Sequence, residues 1–140
     1  MKKDAYLERL AEVPMFQALS KKELIAISRL VETLDVEEGR VLAKEGATGH
    51  EFFVIAQGTA TVSRGNRKVA TLGAGDAFGE LSLLEHQPRN ATVTAATSMK
   101  VLVLGQREFL SAIETSPGLS LKLLKGMARR LREADARPVQ

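Results

Sequence analysis

Residues 78–93 read FGELSLLEHQPRNATV. The stretch sets a glycine, Gly79, and a carboxylate, Glu80, before a short apolar turn, with Arg89 following between Pro88 and Asn90. A strand-like run, Ala91-Thr92-Val93-Thr94-Ala95, comes next. The pattern predicts a short helix over 79–85 with its N-terminus free. Peptide N–H groups at a helix start lack internal partners and favour negative charge. Gly79 lets backbone approach an anion closely. An arginine fork can grip two oxygens of a phosphate at once. An ionised glutamate only accepts, so its natural partner is a hydroxyl. The stretch therefore reads as a cradle for a ligand with both an anionic group and a hydroxyl. A plain surface ion pair between Glu80 and Arg89, worth little, fits the same two residues.

Working outward, the middle of the chain predicts short strands over 40–44, 51–56, 59–63, 68–72, 90–95 and 100–104. They are rich in valine, threonine and phenylalanine and punctuated by glycines. Arg64-Gly65-Asn66-Arg67 predicts a hairpin turn. Short, evenly spaced strands predict a sandwich or barrel. The ends read as helix. Helices are expected over 5–10 and 21–34, the second with Ser20 as N-cap and Glu23 three residues on, a capping-box pattern. Phe16, near Pro14, reads as a core anchor. Residues 106–114 predict another helix, and Pro117 suits the first turn of the last one. Along that last helix Leu121, Leu124, Ala128 and Leu131 form one stripe, and Leu123, Met127 and Arg130 lie on a neighbouring face. One stripe is expected to pack on the barrel, the other to cover a ligand or meet a second subunit.

Composition narrows the classes. The 140 residues are 44% hydrophobic and 26% charged, which fits one globular domain. With no cysteine, disulfides, thiolate metal sites, iron–sulfur clusters and cysteine nucleophiles are excluded together. His50 and His86 stand apart, without metal-ligand spacing. Ser82 lies beside Glu80 with no histidine base near it and no nucleophile-elbow pattern, so no catalytic set is expected. No apolar run approaches the ~18 residues of a membrane span. The net charge of +3 is mild. Its basic excess gathers near the C-terminus, in Lys122, Lys125, Arg129, Arg130, Arg132 and Arg137, and suits helix-end stabilisation better than a nucleic-acid surface. The chain reads as cytoplasmic.

Residues 78–93 resemble the phosphate-binding cassette of the cyclic-nucleotide-binding domain family, which includes catabolite-activator-type regulators, protein kinase A regulatory subunits and nucleotide-gated channels. The likeness extends over nearly the whole chain. Residues 46–58 (GATGHEFFVIAQG) resemble the family's glycine-bounded strand. Leu72-Gly73-Ala74-Gly75-Asp76 resembles the turn feeding the cassette, and Gly126-Met127-Ala128-Arg129-Arg130-Leu131 the closing helix of bacterial members. The resemblance implies a mixed α+β, mainly β fold: a jelly-roll β-barrel with N-terminal helices (1–34), a barrel with its cassette (35–105), and C-terminal hinge and lid helices (106–135), together one domain over 1–140. It implies that Glu80 binds a ribose 2′-hydroxyl, that Arg89 binds the cyclic phosphate, and that N–H groups of Gly79, Leu81, Ser82, Asn90 and Ala91 complete the cage.

By the same resemblance Val62 and Val69 match base-contacting positions, although both also read as barrel core, and Arg130 matches a lid arginine. Two positions carrying hydroxyls toward adenine in bacterial relatives fall on Ala134 and Asp135. Asn90 stands where alanine, serine or threonine is usual and can donate or accept, which leaves cAMP against cGMP open. Analogy with bacterial members leans to cAMP. The implied role is an allosteric sensor in signal transduction with no cofactor and no enzymatic activity. Its output is expected through a protein partner, a homodimer formed by the last helix, or a larger parent protein, since no DNA-binding module follows it. A nucleotide-free scaffold on the same barrel is the alternative.

Overall fold

The computed structural model describes residues 2–135. Arg137 of the basic tail lies outside them, and the side chains of Leu81, Ala134 and Asp135 are likewise outside what is described. Helix α1 (Lys2–Ala11), a 3-10 turn (Pro14–Phe16) and α2 (Lys21–Ser28) precede eight strands. These are β1 (Glu32–Val36), β2 (Val41–Ala43), β3 (Glu51–Gln57), β4 (Ala60–Arg64), β5 (Arg67–Leu72), β6 (Ala77–Phe78), β7 (Thr92–Ala95) and β8 (Met99–Gly105). A second 3-10 turn (Glu80–Leu83) interrupts the strands, and α3 (Gln106–Thr115) and α4 (Pro117–Asp135) close the chain.

The strands form two four-stranded antiparallel sheets, ordered β1-β8-β3-β6 and β2-β7-β4-β5. Successive strands alternate between sheets, except at the β4–β5 hairpin, as the double Greek key of a jelly roll requires. Among the described residues no pairing joins the two sheets, and they form a sandwich, an arrangement compatible with the expected jelly roll. β3 is buried on both faces. Its period-two alternation sends Phe53 and Ile55 between the sheets, with Val93, Ala95, Met99 and Val101. It sends Phe52, Val54 and Ala56 to the helices, with Leu10, Val13, Phe16, Ile27, Phe109 and Leu123. Phe16 is the anchor the sequence implied: it is buried and meets Phe52 edge-on at 6.1 Å.

The capping box forms, with the Glu23 N–H donating to Ser20 Oγ (3.2 Å) and the Ser20 N–H to Glu23 Oε1 (2.8 Å). Lys122 on α4 donates to the same carboxylate at 2.7 Å. That bond, with the Ser20 N–H, holds the Glu23 carboxyl below its ordinary pKa. The expected helix over 21–34 is corrected. α2 ends at Ser28, and Glu32–Val36 pairs with β8 in register, Glu32 opposite Val103 and Val36 opposite Met99. Leu34 fits a helical stripe and a period-two strand equally well, and long-range pairing decided between them. The predicted hairpin is present: Arg64 pairs with Arg67 across Gly65 and Asn66, whose φ values of 53° and 65° fit a two-residue primed turn.

On α4, Leu119 and Leu123 are buried and Met127 packs beside them. Leu121, Leu124 and Leu131 are 55%, 62% and 66% exposed, so the stripe Leu121–Leu124–Ala128–Leu131 faces outward. Gly126 is buried where α4 crosses the Pro14–Phe16 turn.

Candidate functional site

Phe78 pairs with Phe53 at the end of β6, and their rings stack at 4.8 Å. The chain then turns through Gly79, which has a φ of 87° that a side chain would strain. The expected helix over 79–85 is a single 3-10 turn over Glu80–Leu83, closed by the Ser82 N–H donating to the Gly79 carbonyl (3.0 Å). The turn does not extend into an α-helix, and the chain runs on to Pro88, which bridges to Thr48. Leu83, fully buried in the helix-side core, anchors it from below. Gln106 on α3 donates to the Ser82 carbonyl (3.0 Å) and ties the turn to the C-terminal helices.

Arg89 enters from the other side. Its N–H donates to the Ala47 carbonyl (2.8 Å), and its own carbonyl accepts from Gly46 (2.8 Å). The guanidinium donates through Nη2 to the Glu51 carbonyl (3.0 Å) and lies 5.9 Å from the Phe53 ring centroid, a cation–π arrangement. Burial pushes its pKa down and the Glu51 carboxylate opposes that shift, and arginine remains a cation at neutral pH. It passes between two glycines. A Cβ on Gly49 would collide with Arg89 Nε and Cζ, and one on Gly79 would meet Arg89 Nη1 and the Glu51 carbonyl at 2.5 and 2.7 Å.

Gly49 is the site residue that sequence reading missed, where it counted only as punctuation between strands. Gly49→Ala is expected to displace the guanidinium while leaving the fold in place, because the obstructing atoms belong to a flexible side chain. Ligand affinity should fall with the melting temperature nearly unchanged, and equal affinity in the variant would show that Arg89 does not need this slot.

Glu80, Ser82, Arg89, Asn90, Ala91, Gly79 and Val62 line one cavity of about 280 Å³, joined by Ala43, Arg64, Phe78, Gln87, Pro88 and Val93. This is close to the lower end of small-ligand pockets, roughly 300 Å³. Its lining combines apolar side chains with two arginines and one carboxylate, which suits an anion with an apolar body. A wider cleft of about 630 Å³ lies by His50, Glu32, Glu51, Arg107 and Glu108. Its lining holds three carboxylates against one arginine, a poor match to an anion. His50 and His86, remote in sequence, meet edge-on at 5.1 Å. Among the described residues no cluster of three metal-ligating side chains exists.

The remaining expected residues divide. Among the described residues the N–H groups of Gly79, Asn90 and Ala91 carry no backbone hydrogen bond, whereas that of Ser82 is taken by Gly79. Leu81 belongs to the 3-10 turn by its backbone. Val69 is neither cavity wall nor core. Val62 faces Ala70 and Ser63 faces Lys68, so Val69 is the extra residue of a bulge on an edge strand, 51% exposed. Arg130 does not line the cavity. It reaches from α4 to Glu80, Nη2 to Oε1 at 3.1 Å, with side chains 52% and 23% exposed.

A model of the cyclic nucleotide-binding domain matches residues 33–116. The chain is 37% identical over 114 residues to a cAMP-dependent protein kinase regulatory subunit of Hypocrea atroviridis, covering 81% of this chain and 25% of that one. It is 37% identical over 116 residues to a cyclic nucleotide-gated potassium channel of Rhizobium etli, covering 83% and 32%. It thus spans between a quarter and a third of these relatives' lengths. The N-terminal domain of a transcriptional regulator from Streptomyces coelicolor A3(2) superposes with a TM-score of 0.84 at 30% identity, covering 94% of this chain and 96% of that one. The chain belongs to the cyclic nucleotide-binding domain family, whose members are regulatory modules and not catalysts. Among the described residues no helix is long and apolar enough to cross a membrane.

Proposed function

We propose that this chain is a cytoplasmic cyclic-nucleotide sensor, taking cAMP by analogy with its relatives, and that α4 is the lid through which binding is reported. The observation that carries the reading is the shared carboxylate at Glu80. It lies in the same cavity as Arg89 and is also held by Arg130 on α4. In this reading Arg89 grips the cyclic phosphate and the free N–H groups of Gly79, Asn90 and Ala91 complete the cage. One Glu80 oxygen keeps Arg130 while the other accepts from the ribose 2′-hydroxyl. Ribose binding and lid position then share one charge. A ligand moves the lid only by binding one of its positions more tightly, and such coupling is typically about 1–3 kcal/mol. The outward stripe of α4 would present Leu121, Leu124 and Leu131 to a second copy or a partner protein, with the helix as output.

Calorimetric titration with cAMP, cGMP and AMP tests the core of this. Saturable binding of a cyclic nucleotide with AMP far weaker is expected, because AMP carries a dianionic, unbridged phosphate. Binding of none would leave the scaffold reading standing instead, and binding of AMP equally well would make the chain a general nucleotide binder.

A further inference from the structure

His50 and His86 stand apart in the sequence, and the backbone brings them together. Thr48 pairs antiparallel with Pro88. Continuing that register by two residues along each segment sets His50 opposite His86 on the same face. Their rings meet edge-on, with centroids 5.1 Å apart and planes at 67°. The Gln106 N–H donates to the His50 carbonyl at 2.8 Å and ties that residue's backbone to the start of α3. Both histidines are exposed. Among the described residues no hydrogen bond or ion pair engages either imidazole, so their nitrogens are unspent.

We infer that His50 and His86 form a two-histidine site for a borderline-soft divalent cation of the zinc class, which fastens the entry of β3 to the cassette. No nucleotide takes part in it. A neutral imidazole keeps one nitrogen free to bind a metal. Two imidazoles on one tetrahedral zinc, with Zn–N bonds of about 2.0–2.1 Å, hold their ring centroids about 5 Å apart. The spacing of this pair meets that demand without movement of the backbone. Two protein ligands leave the other positions on the metal to water. The approach favours a cation as well, since His50 lines the cleft with Glu32, Glu51 and Glu108 against Arg107 alone. Imidazole suits zinc, copper and nickel, whereas magnesium and calcium demand oxygen. A metal here would also fix the neighbourhood of Arg89, because Gly49, next to His50, packs against its guanidinium.

The same spacing suits a simple contact between rings, so the test keeps the ring and removes the ligand. Zinc chloride is titrated by calorimetry into the untagged chain, His50→Phe and His86→Phe, with thermal melts alongside. Saturable binding at one ion per chain is expected for the unmodified protein, with a melting temperature that rises with zinc and not with magnesium. Each phenylalanine variant should lower zinc affinity about tenfold or more, while its zinc-free melting temperature stays close to the original because both rings are exposed. Should a phenylalanine variant fail to fold, alanine at the same position gives the same readout. No saturable binding by the unmodified chain would overturn the site. Unchanged zinc affinity in either variant would do so too, since the metal would then be held without that histidine.

Discussion

Replacing Arg89 by alanine is expected to abolish most cyclic-nucleotide binding while the protein still melts as a folded unit. Removing one partner of a desolvated charge pair costs about 3–5 kcal/mol. Arg89 is only partly buried, so the lower end applies, on the order of a hundredfold in affinity. The folded state loses little by comparison. Among the described residues the guanidinium's one hydrogen bond goes to the Glu51 carbonyl, which water can replace at a partly exposed site. Its contact with Phe53 is worth roughly 1 kcal/mol. The burial that lowers its pKa means that the folded protein already bears a cost for holding this cation, and an anionic ligand would relieve it. Calorimetry together with a thermal melt separates the two effects. Near-unchanged affinity for cAMP in the variant would remove the cavity from consideration as a phosphate site.

The second large effect is expected at Gly126, where no ligand is involved. A Cβ there would collide with the Met15 carbonyl oxygen, stand 2.9 Å from the Met15 carbonyl carbon and 3.1 Å from the Pro14 carbonyl oxygen. All three are backbone atoms of a turn whose Met15 and Phe16 are buried, so nothing nearby can give way. Gly126→Leu should push α4 off the Pro14–Phe16 turn. Overpacking of this kind costs about 1–3 kcal/mol, only partly offset by the roughly 1 kcal/mol that a non-glycine residue contributes to a helix interior. The net loss, up to about 2 kcal/mol, corresponds to a fall in melting temperature on the order of 3–8 °C. Gly118→Ala is the control: it lies on the same helix, and a Cβ there meets nothing within 4 Å. An unchanged melting temperature for Gly126→Leu would mean that α4 is not seated by this close approach. Because Arg130 is carried on α4, undocking should also free Glu80, which a change in nucleotide affinity would register.

The two substitutions bracket the device proposed here. One removes the group that recognises the ligand; the other removes the seat of the element that would report it. Among the described residues the polar links from the C-terminal helices to the cassette are one partly exposed ion pair, Arg130 on α4 to Glu80 at 3.1 Å, and one hydrogen bond from Gln106 on α3 to the Ser82 carbonyl. Exposed pairs are worth about 0–1 kcal/mol, a scale on which a ligand's preference between lid positions could tip the balance.

Local chemistry determined much of this protein from sequence alone. β-branched runs between glycines specify strands, and Ser20 with Glu23 specifies a helix start, because the partners lie within a few residues of one another. Glu80 and Arg89 stood out for the same reason, as a charge pattern within one short segment, and both line one cavity. Tertiary structure decided what depends on residues distant along the chain. Glu32–Val36 became strand instead of helix because β8, almost seventy residues on, supplied its hydrogen bonds. Arg89 found its place because Gly49 and the Glu51 carbonyl, at the entry to β3 and distant in the chain, come beside it. Arg64 joined the cavity through the carbonyl of Asn90, and α4 chose Leu123 over Leu121 as its inner face because the Pro14–Phe16 turn admits a glycine and no side chain. Periodicity reports which faces of an element are apolar, but only the partner surface selects which of them is buried.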